Sequence, residues 1–222
     1  MMSAYLSRRT RVKICGFTQA EDAACAVALG ADALGLVFHG PSPRNVSVAQ
    51  AGAIASAVPA FVTVVGLFVD ADQAWVREIC GSVRIDLLQF HGEESPEYCA
   101  GFGRPYIKAL RMKPGVDVGT EARRYAGAAG LLLDAYQPGE PGGTGMTFDW
   151  GRAEAVCALP LILAGGLTPA NVKEALETAR PYAVDVSSGV EGERKGMKDH
   201  DKMAAFLREV YEFDHARRDS AL

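Results

Sequence analysis

The sequence predicts a single (β/α)8 barrel spanning residues 1–222. Two observations carry this reading. Eight short runs rich in leucine and β-branched residues recur along the chain, each followed by a segment with helical spacing or helix-start chemistry. The runs are almost continuously apolar, as parallel strands buried on both faces must be. Sequential parallel strands joined by right-handed crossovers can close on themselves at eight. An open doubly wound sheet would break the one-strand, one-helix alternation. A chain of 222 residues lies near the small end for this fold, so little is left for a further domain. Residues 1–11 and 214–222 are expected to be mobile termini.

The first strand is expected at 12–16. A helix follows at 18–29, with Thr18 as N-cap, Glu21 completing a capping box and Gly30 as the stop. The second and third units pair strand 33–38 with helix 47–58, and strand 61–69 with helix 72–80. Strand 85–90 leads to a helix starting near Ser95, with Pro96 at its first position and Glu97 behind it. Strand 105–110 precedes a weaker helix at 115–126. Strand 130–135 is separated from a helix at 149–158 by a glycine-rich loop. The last units pair strand 160–164 with a helix at 168–178 opened by Thr-Pro, and strand 182–187 with helix 198–213.

Composition narrows the function classes. Apolar residues make up 49% and charged residues 23%, ordinary for a globular protein. The formal net charge is −4 with no dense basic cluster, which argues against a duplex nucleic-acid footprint. Five cysteines at irregular spacing, with no C-x-x-C pair, argue against a disulfide framework or a zinc site and suit a reducing cytoplasm. The stretch between Arg44 and Asp70 is uncharged and long enough to span a bilayer. Gln50, Ser56, Pro59 and Thr63 dilute it, and Pro59 divides it into a helix-like half and a β-branched half. It reads as a buried helix and a buried strand. Residues 1–11 lack the apolar segment of a secretory signal.

In this fold the chemistry sits where strands end. Those ends carry Cys15, His39, Asp70, His91, Arg111, Asp134, Gly165-Gly166 and Ser187-Ser188-Gly189. The last two lie in the loops where barrels of this kind often hold a phosphate, and paired glycines let backbone N–H groups approach an anion. Tight turns are the other reading. Cys15 is either an inert buried thiol or, given a cationic neighbourhood, a thiolate. The remaining cysteines, Cys25, Cys80, Cys99 and Cys157, fall within helices and read as packing. Asp134 closes a wholly apolar strand and is either a general acid of raised pKa or a partner in a cap or salt bridge. Arg44, stiffened by Pro41 and Pro43, could grip a carboxylate or phosphate, or lie exposed. His91 could be a base or a hydrogen-bond donor. Gly142-Gly143-Thr144-Gly145 lacks a P-loop lysine and reads as a flap with a substrate contact possible. His200 and Asp201 read as solvated capping residues. Strand alternation puts Lys13 on the face of Cys15, inside the barrel. A buried ammonium needs a partner, and Asp185 on the adjoining eighth strand is the candidate.

In order along the chain, these segments resemble the phosphoribosylanthranilate isomerase family. The matching pieces are Lys13-Ile14-Cys15-Gly16, Ser42-Pro43-Arg44, Gln89-Phe90-His91-Gly92, Leu133-Asp134, Gly142-Gly143-Thr144-Gly145 and Phe148-Asp149-Trp150. They continue with Leu163-Ala164-Gly165-Gly166-Leu167, Asp185-Val186-Ser187-Ser188-Gly189-Val190-Glu191 and Gly196-Met197-Lys198-Asp199. The resemblance implies an Amadori rearrangement of N-(5′-phosphoribosyl)anthranilate to 1-(2-carboxyphenylamino)-1-deoxyribulose 5-phosphate, with no metal or organic cofactor. It implies Cys15 as general base at C2′, Asp134 as general acid on the ring oxygen, Arg44 on the anthranilate carboxylate, and a phosphate held by Gly165, Gly166, Ser187, Ser188 and Gly189. His91, Gly143 and Asp185 complete the expected substrate-binding set. The expected partner is the small phosphoribosyl substrate, without nucleic acid or membrane, in a monomer or homodimer. The sequence departs from the family at His39, Gly40, Pro41 and Asn45, where aryl-ring packing is at issue. Two rivals stand beside this reading. A histidine-pathway or dual-substrate isomerase would place aspartates at the ends of strands one and five, where this chain has Cys15 and Leu110-Arg111. A non-catalytic phosphosugar-binding barrel could dispense with Cys15 or Asp134.

Overall fold

In a computed structural model of the chain, the residues described are 9–135, 149–153 and 158–219. Eight parallel strands close in sequence order. They are β1 (Arg11–Cys15), β2 (Ala33–Val37), β3 (Thr63–Phe68), β4 (Leu87–Phe90), β5 (Tyr106–Arg111), β6 (Gly130–Asp134), β7 (Leu161–Leu163) and β8 (Ala183–Val186). Around them lie α1 (Ala20–Ala28), α2 (Val48–Ser56), α3 (Gln73–Ser82), α4 (Pro96–Ala100), α5 (Val118–Arg124), α6 (Val172–Ala179) and α7 (His200–Asp219). The strands are buried on both faces, which is why they read as apolar runs rather than alternating ones. Between the strands and the outer helices, Phe38 stacks on Phe68 at 5.3 Å, and Phe90 packs edge-on against Tyr98 and Tyr106. The uncharged stretch past Arg44 divides into α2 and β3, and among the described residues no helix is long and apolar enough to cross a membrane.

The register positions the site. Closure of β8 on β1 sets Lys13 opposite Asp185, and β1 against β2 sets Cys15 opposite Gly35. A Cβ at Gly35 would stand 2.6 Å from the Cys15 sulfur, so glycine there leaves room for the thiol.

Several local expectations are corrected. Helix α1 opens after Gln19, not at Thr18, and the Thr18 hydroxyl instead donates to the Gly196 carbonyl at 2.6 Å, so the Thr18–Glu21 capping box does not form. The box occurs one unit later, at Ser47 and Gln50. Helix α6 begins at Val172 rather than 168, because the Asn171 side chain accepts from Thr168 N–H and donates to the Gly166 carbonyl. Where a helix was expected at 149–158, Trp150–Ala153 form a 3-10 turn. Helix α5 is trimmed to Val118–Arg124 by its Asp117 cap. Near the chain ends, Arg11 starts β1, α7 continues to Asp219, and buried Asp214 accepts from Thr10 N–H and Oγ1 at 2.6 and 2.9 Å.

Candidate active site

A cavity of about 280 Å³ opens at the C-terminal ends of the strands, and Cys15, Arg44, His91, Asp134, Asp185 and Ser188 all face it. Among the described residues, Asp70 and Arg111 end their strands but do not line it. Exposed Asp70 accepts from Glu93 N–H at 2.7 Å, and Arg111 reaches the His91 carbonyl.

Cys15 ends β1 and is 5% exposed. Directly below it Lys13 donates to Asp185 at 2.8 Å, with both side chains buried. Lys198 comes from the segment before α7 and donates to the Cys15 carbonyl at 2.6 Å. Burial dominates the thiol and pushes its pKa above the ordinary value, and Lys13, then Lys198, pull in the opposite direction. The cations beside Cys15 therefore oppose its desolvation without overcoming it, and the Asp185 charge adds to the upward push. Burial also draws Lys198 below the usual ammonium range against the pull of Glu191. Cys25, Cys80 and Cys99 lie in α1, α3 and α4 as free thiols, and burial takes Cys99 up to about 12. Cys157 lies outside the described residues.

Asp134 ends β6, is 7% exposed, and lies 3.0 Å from His91 Nε2. Gln89, two residues before His91 on the same strand face, places its side-chain nitrogen 3.1 Å from His91 Nδ1. An amide N–H donated to Nδ1 leaves the imidazole proton on Nε2, pointed at Asp134. The Gln89 oxygen is buried with no hydrogen-bond partner among the described residues, so this amide is held on the cavity side by one bond.

Arg44 is buried and paired: its Nε and Nη2 donate to the two carboxylate oxygens of Glu191 at 2.6 and 2.7 Å. Glu191, Lys198 and Gln89 went unassigned in the sequence reading, although all three lie within the quoted segments. Gln89 could have been found from period-two alternation with His91. The Arg44–Glu191 pair joins residues 147 apart, for which local spacing carries no signal.

The two loops expected to hold phosphate stand side by side. Gly165 and Gly166 adopt φ of 80° and 67°, the left-handed region that favours glycine, and both line the cavity. Ser187 and Ser188 line it too, and Ser188–Val190 form one 3-10 turn. Gly189 sits behind the lining, so close to the Leu167 carbonyl that a Cβ would collide with it. The exposed Lys195 adds a cation at the rim. His39 and Pro41, where the sequence departs from the family pattern, also line the cavity. Gly143 and its flap lie outside the described residues.

The chain was compared with known proteins. Residues 12–209 match the model of the family described as N-(5′-phosphoribosyl)anthranilate (PRA) isomerase. The N-(5′-phosphoribosyl)anthranilate isomerase of Nitrosococcus oceani is 59% identical over 202 residues, covering 91% of this chain and 98% of that protein. That of Pseudomonas aeruginosa is 56% identical over 197 residues, covering 89% and 93%. Among solved structures, the Thermus thermophilus phosphoribosyl anthranilate isomerase superposes with a TM-score of 0.82 at 38% identity, covering 91% of this chain and 99% of that one. Another, a phosphoribosyl anthranilate isomerase in complex with reduced 1-(o-carboxyphenylamino)-1-deoxyribulose 5-phosphate, gives 0.80 at 36% identity with the same coverage. A third comprises monomers of the dimeric isomerase of Thermotoga maritima, with a TM-score of 0.77 at 34% identity, covering 91% and 99%.

Proposed function

Because the chain belongs to the phosphoribosylanthranilate isomerase family, we propose that Cys15 and Asp134 carry the two proton transfers of its reaction. That reaction is the Amadori rearrangement of N-(5′-phosphoribosyl)anthranilate in tryptophan biosynthesis. It has two chemically distinct demands. The furanose ring oxygen must receive a proton so that the C1′–O bond breaks and a Schiff base forms. The C2′ proton must then leave, its electron pair forming the enamine that relaxes to the ketone. One acid and one base meet these demands if both reach the same sugar.

The observation that carries the assignment is that Cys15 and Asp134 face a single cavity from different strands, each beside groups that suit its role. Cys15 stands above Lys13 and beside Lys198, cations that stabilise a thiolate in a site which otherwise favours the neutral thiol. Asp134 lies against His91, whose Nε2 orients one carboxyl oxygen. In this reading Arg44 holds the anthranilate carboxylate, and the N–H groups of Gly165, Gly166, Ser188 and Gly189, with the Ser188 hydroxyl, hold the phosphate, while the Ser187 hydroxyl donates to the Cys15 carbonyl at 3.0 Å and fixes the loop to β1. Four free thiols among the described residues fit action in a reducing cytoplasm. The dimeric Thermotoga maritima relative makes a homodimer a reasonable assembly to test.

Steady-state kinetics on purified variants, followed by loss of anthranilate-type fluorescence, tests the assignment. Cys15→Ser and Asp134→Asn should each lower kcat by about 10²–10⁴-fold with KM little changed, the usual scale for one acid or base. Arg44→Ala should chiefly raise KM, because the carboxylate is present in both ground and transition states. The elevated thiol pKa puts the rising limb of the kcat/KM profile on the alkaline side, and that limb should vanish in Cys15→Ser. A Cys15→Ser enzyme with near-normal kcat would reduce the thiol to packing.

A further inference from the structure

We infer that Glu191 is a positioning residue: it takes one edge of the Arg44 guanidinium and so aims the adjoining Nη1/Nη2 edge at the substrate carboxylate. The inference rests on the assignment of Arg44 to that carboxylate. A guanidinium carries five N–H donors in a fixed planar fork. Glu191 accepts from Nε and from one hydrogen of Nη2, at 2.6 and 2.7 Å. Of the remaining hydrogens, one on Nη2 and one on Nη1 form the outer fork, which takes a second carboxylate in the same bidentate geometry. Arg44 lines the cavity, and its stem lies across Gly16, where a Cβ would collide with Cδ. With the stem confined and the inner edge bound, the fork has one direction left.

Glu191 is in turn held by the machinery it serves. Its Oε1 also accepts from Gly196 N–H at 3.1 Å and from Lys198 Nζ at 3.2 Å. Lys198 Nζ donates to the Cys15 carbonyl at 2.6 Å and to the Ser187 carbonyl at 3.1 Å. One buried carboxylate therefore refers the carboxylate clamp to the strand end that carries the base and to the loop expected to hold phosphate. The ends of an extended substrate are located against the same frame as its reacting carbon, which is the condition for a near-attack geometry. A buried ion pair gains little net stability over apolar residues of similar volume, so the consequence of this one lies in geometry.

The test is a double-mutant cycle. Glu191→Gln preserves size but sets an amide N–H₂ against a guanidinium N–H, donor against donor. It should raise KM about tenfold while kcat stays within about threefold. Inhibition by anthranilate should weaken in parallel, and inhibition by inorganic phosphate should not change. Glu191→Asp, which keeps the charge but retracts it by one methylene, should fall between, and it carries the test if the glutamine variant does not fold. In an Arg44→Ala background, Glu191→Gln should add less than about twofold, because its effect runs through the arginine. A full tenfold effect in that background overturns the inference. So does an unchanged KM in Glu191→Gln while Arg44→Ala raises it. An Arg44→Ala enzyme with unchanged KM removes the carboxylate assignment itself, and the inference with it.

Discussion

Replacing Lys13 by methionine keeps an unbranched stem of similar length and deletes one charge beneath the active site. Lys13 and Asp185 meet at 2.8 Å with side-chain exposures of 6% and 9%, so the substitution strands a carboxylate in the barrel. Breaking a buried pair from one side costs about 3–5 kcal/mol. In a protein of this length each kcal/mol is about 2–4 °C of melting temperature, which sets the expected loss at about 6–20 °C. Burial works against the Lys13 charge, but Asp185 and Cys15 outweigh it, and the ammonium pKa lies above its ordinary 10.5. A group whose folded pKa is raised contributes stability that is complete below the unfolded value and is lost as pH rises through the folded one. Asp185, which burial already holds above the ordinary carboxylate range, loses its counter-charge in the variant. The deficit should therefore grow with pH as the stranded carboxyl is forced to ionise, and close above about pH 10, where Lys13 of the parent protein loses its proton. The assay is urea unfolding followed by circular dichroism across that range. Lys13 is also the strongest electrostatic pull holding the Cys15 thiol down, so alkylation by iodoacetamide should shift to higher pH in the variant. The Lys13→Met/Asp185→Leu double variant should regain most of the stability but not the activity, because an apolar pair replaces an ionic one at little cost. A single variant that loses under about 1 kcal/mol, or a double variant no more stable than the single one, would refute the reasoning.

His91→Asn removes the Nε2 contact at 3.0 Å to Asp134 and should lower kcat by about 2–10-fold with KM nearly constant, since an ordinary hydrogen bond is worth about 0.5–1.5 kcal/mol. An unchanged kcat would show that Asp134 needs no orienting partner. Gly189→Ala should push the Ser188–Val190 turn off the Leu167 carbonyl and raise both KM and the inhibition constant of inorganic phosphate by about tenfold. If only one of the two moved, the phosphate would be held elsewhere.

The eight strands were legible because being buried on both faces leaves an unbroken apolar signature, and because a fixed order of closure needs no long-range guess. The Lys13–Asp185 contact followed from the same logic, period-two alternation plus the return of β8 to β1. Helix starts were less legible. Thr18 carries the capping signature, yet its hydroxyl finds a partner 178 residues away, and a tertiary hydrogen bond displaces the local one. Asn171 likewise bonds back into the Gly165-Gly166 loop, and α6 starts later than Thr-Pro suggests. In the site, the strand ends could be enumerated from sequence, but not which of them turn inward. Asp70 and Arg111 were indistinguishable by spacing from His91 and Asp134. Arg44 was placed in the cavity, but its partner Glu191 was invisible, because no periodicity links a β2 loop to the segment after β8.

In the proposed assignment, the buried charges bear on how one apolar barrel could hold an acid and a base at once. Among the described residues, Lys13 is offset by Asp185, Arg44 and Lys198 share Glu191, and Asp134 lies against His91. The cations nearest the sulfur are thus already engaged by carboxylates. Burial and Asp185 push the Cys15 thiol up, and the field of Lys13 and Lys198 opposes them without outweighing them. That balance suits an isomerisation. The reaction moves one proton onto the sugar and takes another off it, so the substrate's charge is the same at the start and the end. A thiol permanently ionised beside free cations would be a poor base, since the field that lowers its pKa also lowers its appetite for the C2′ proton. A buried thiol with no cations nearby would hold its proton more tightly still. Each cation beneath and beside Cys15 is paired with a carboxylate, which tempers its pull on the proposed base, and the same carboxylates hold the neighbouring groups in register.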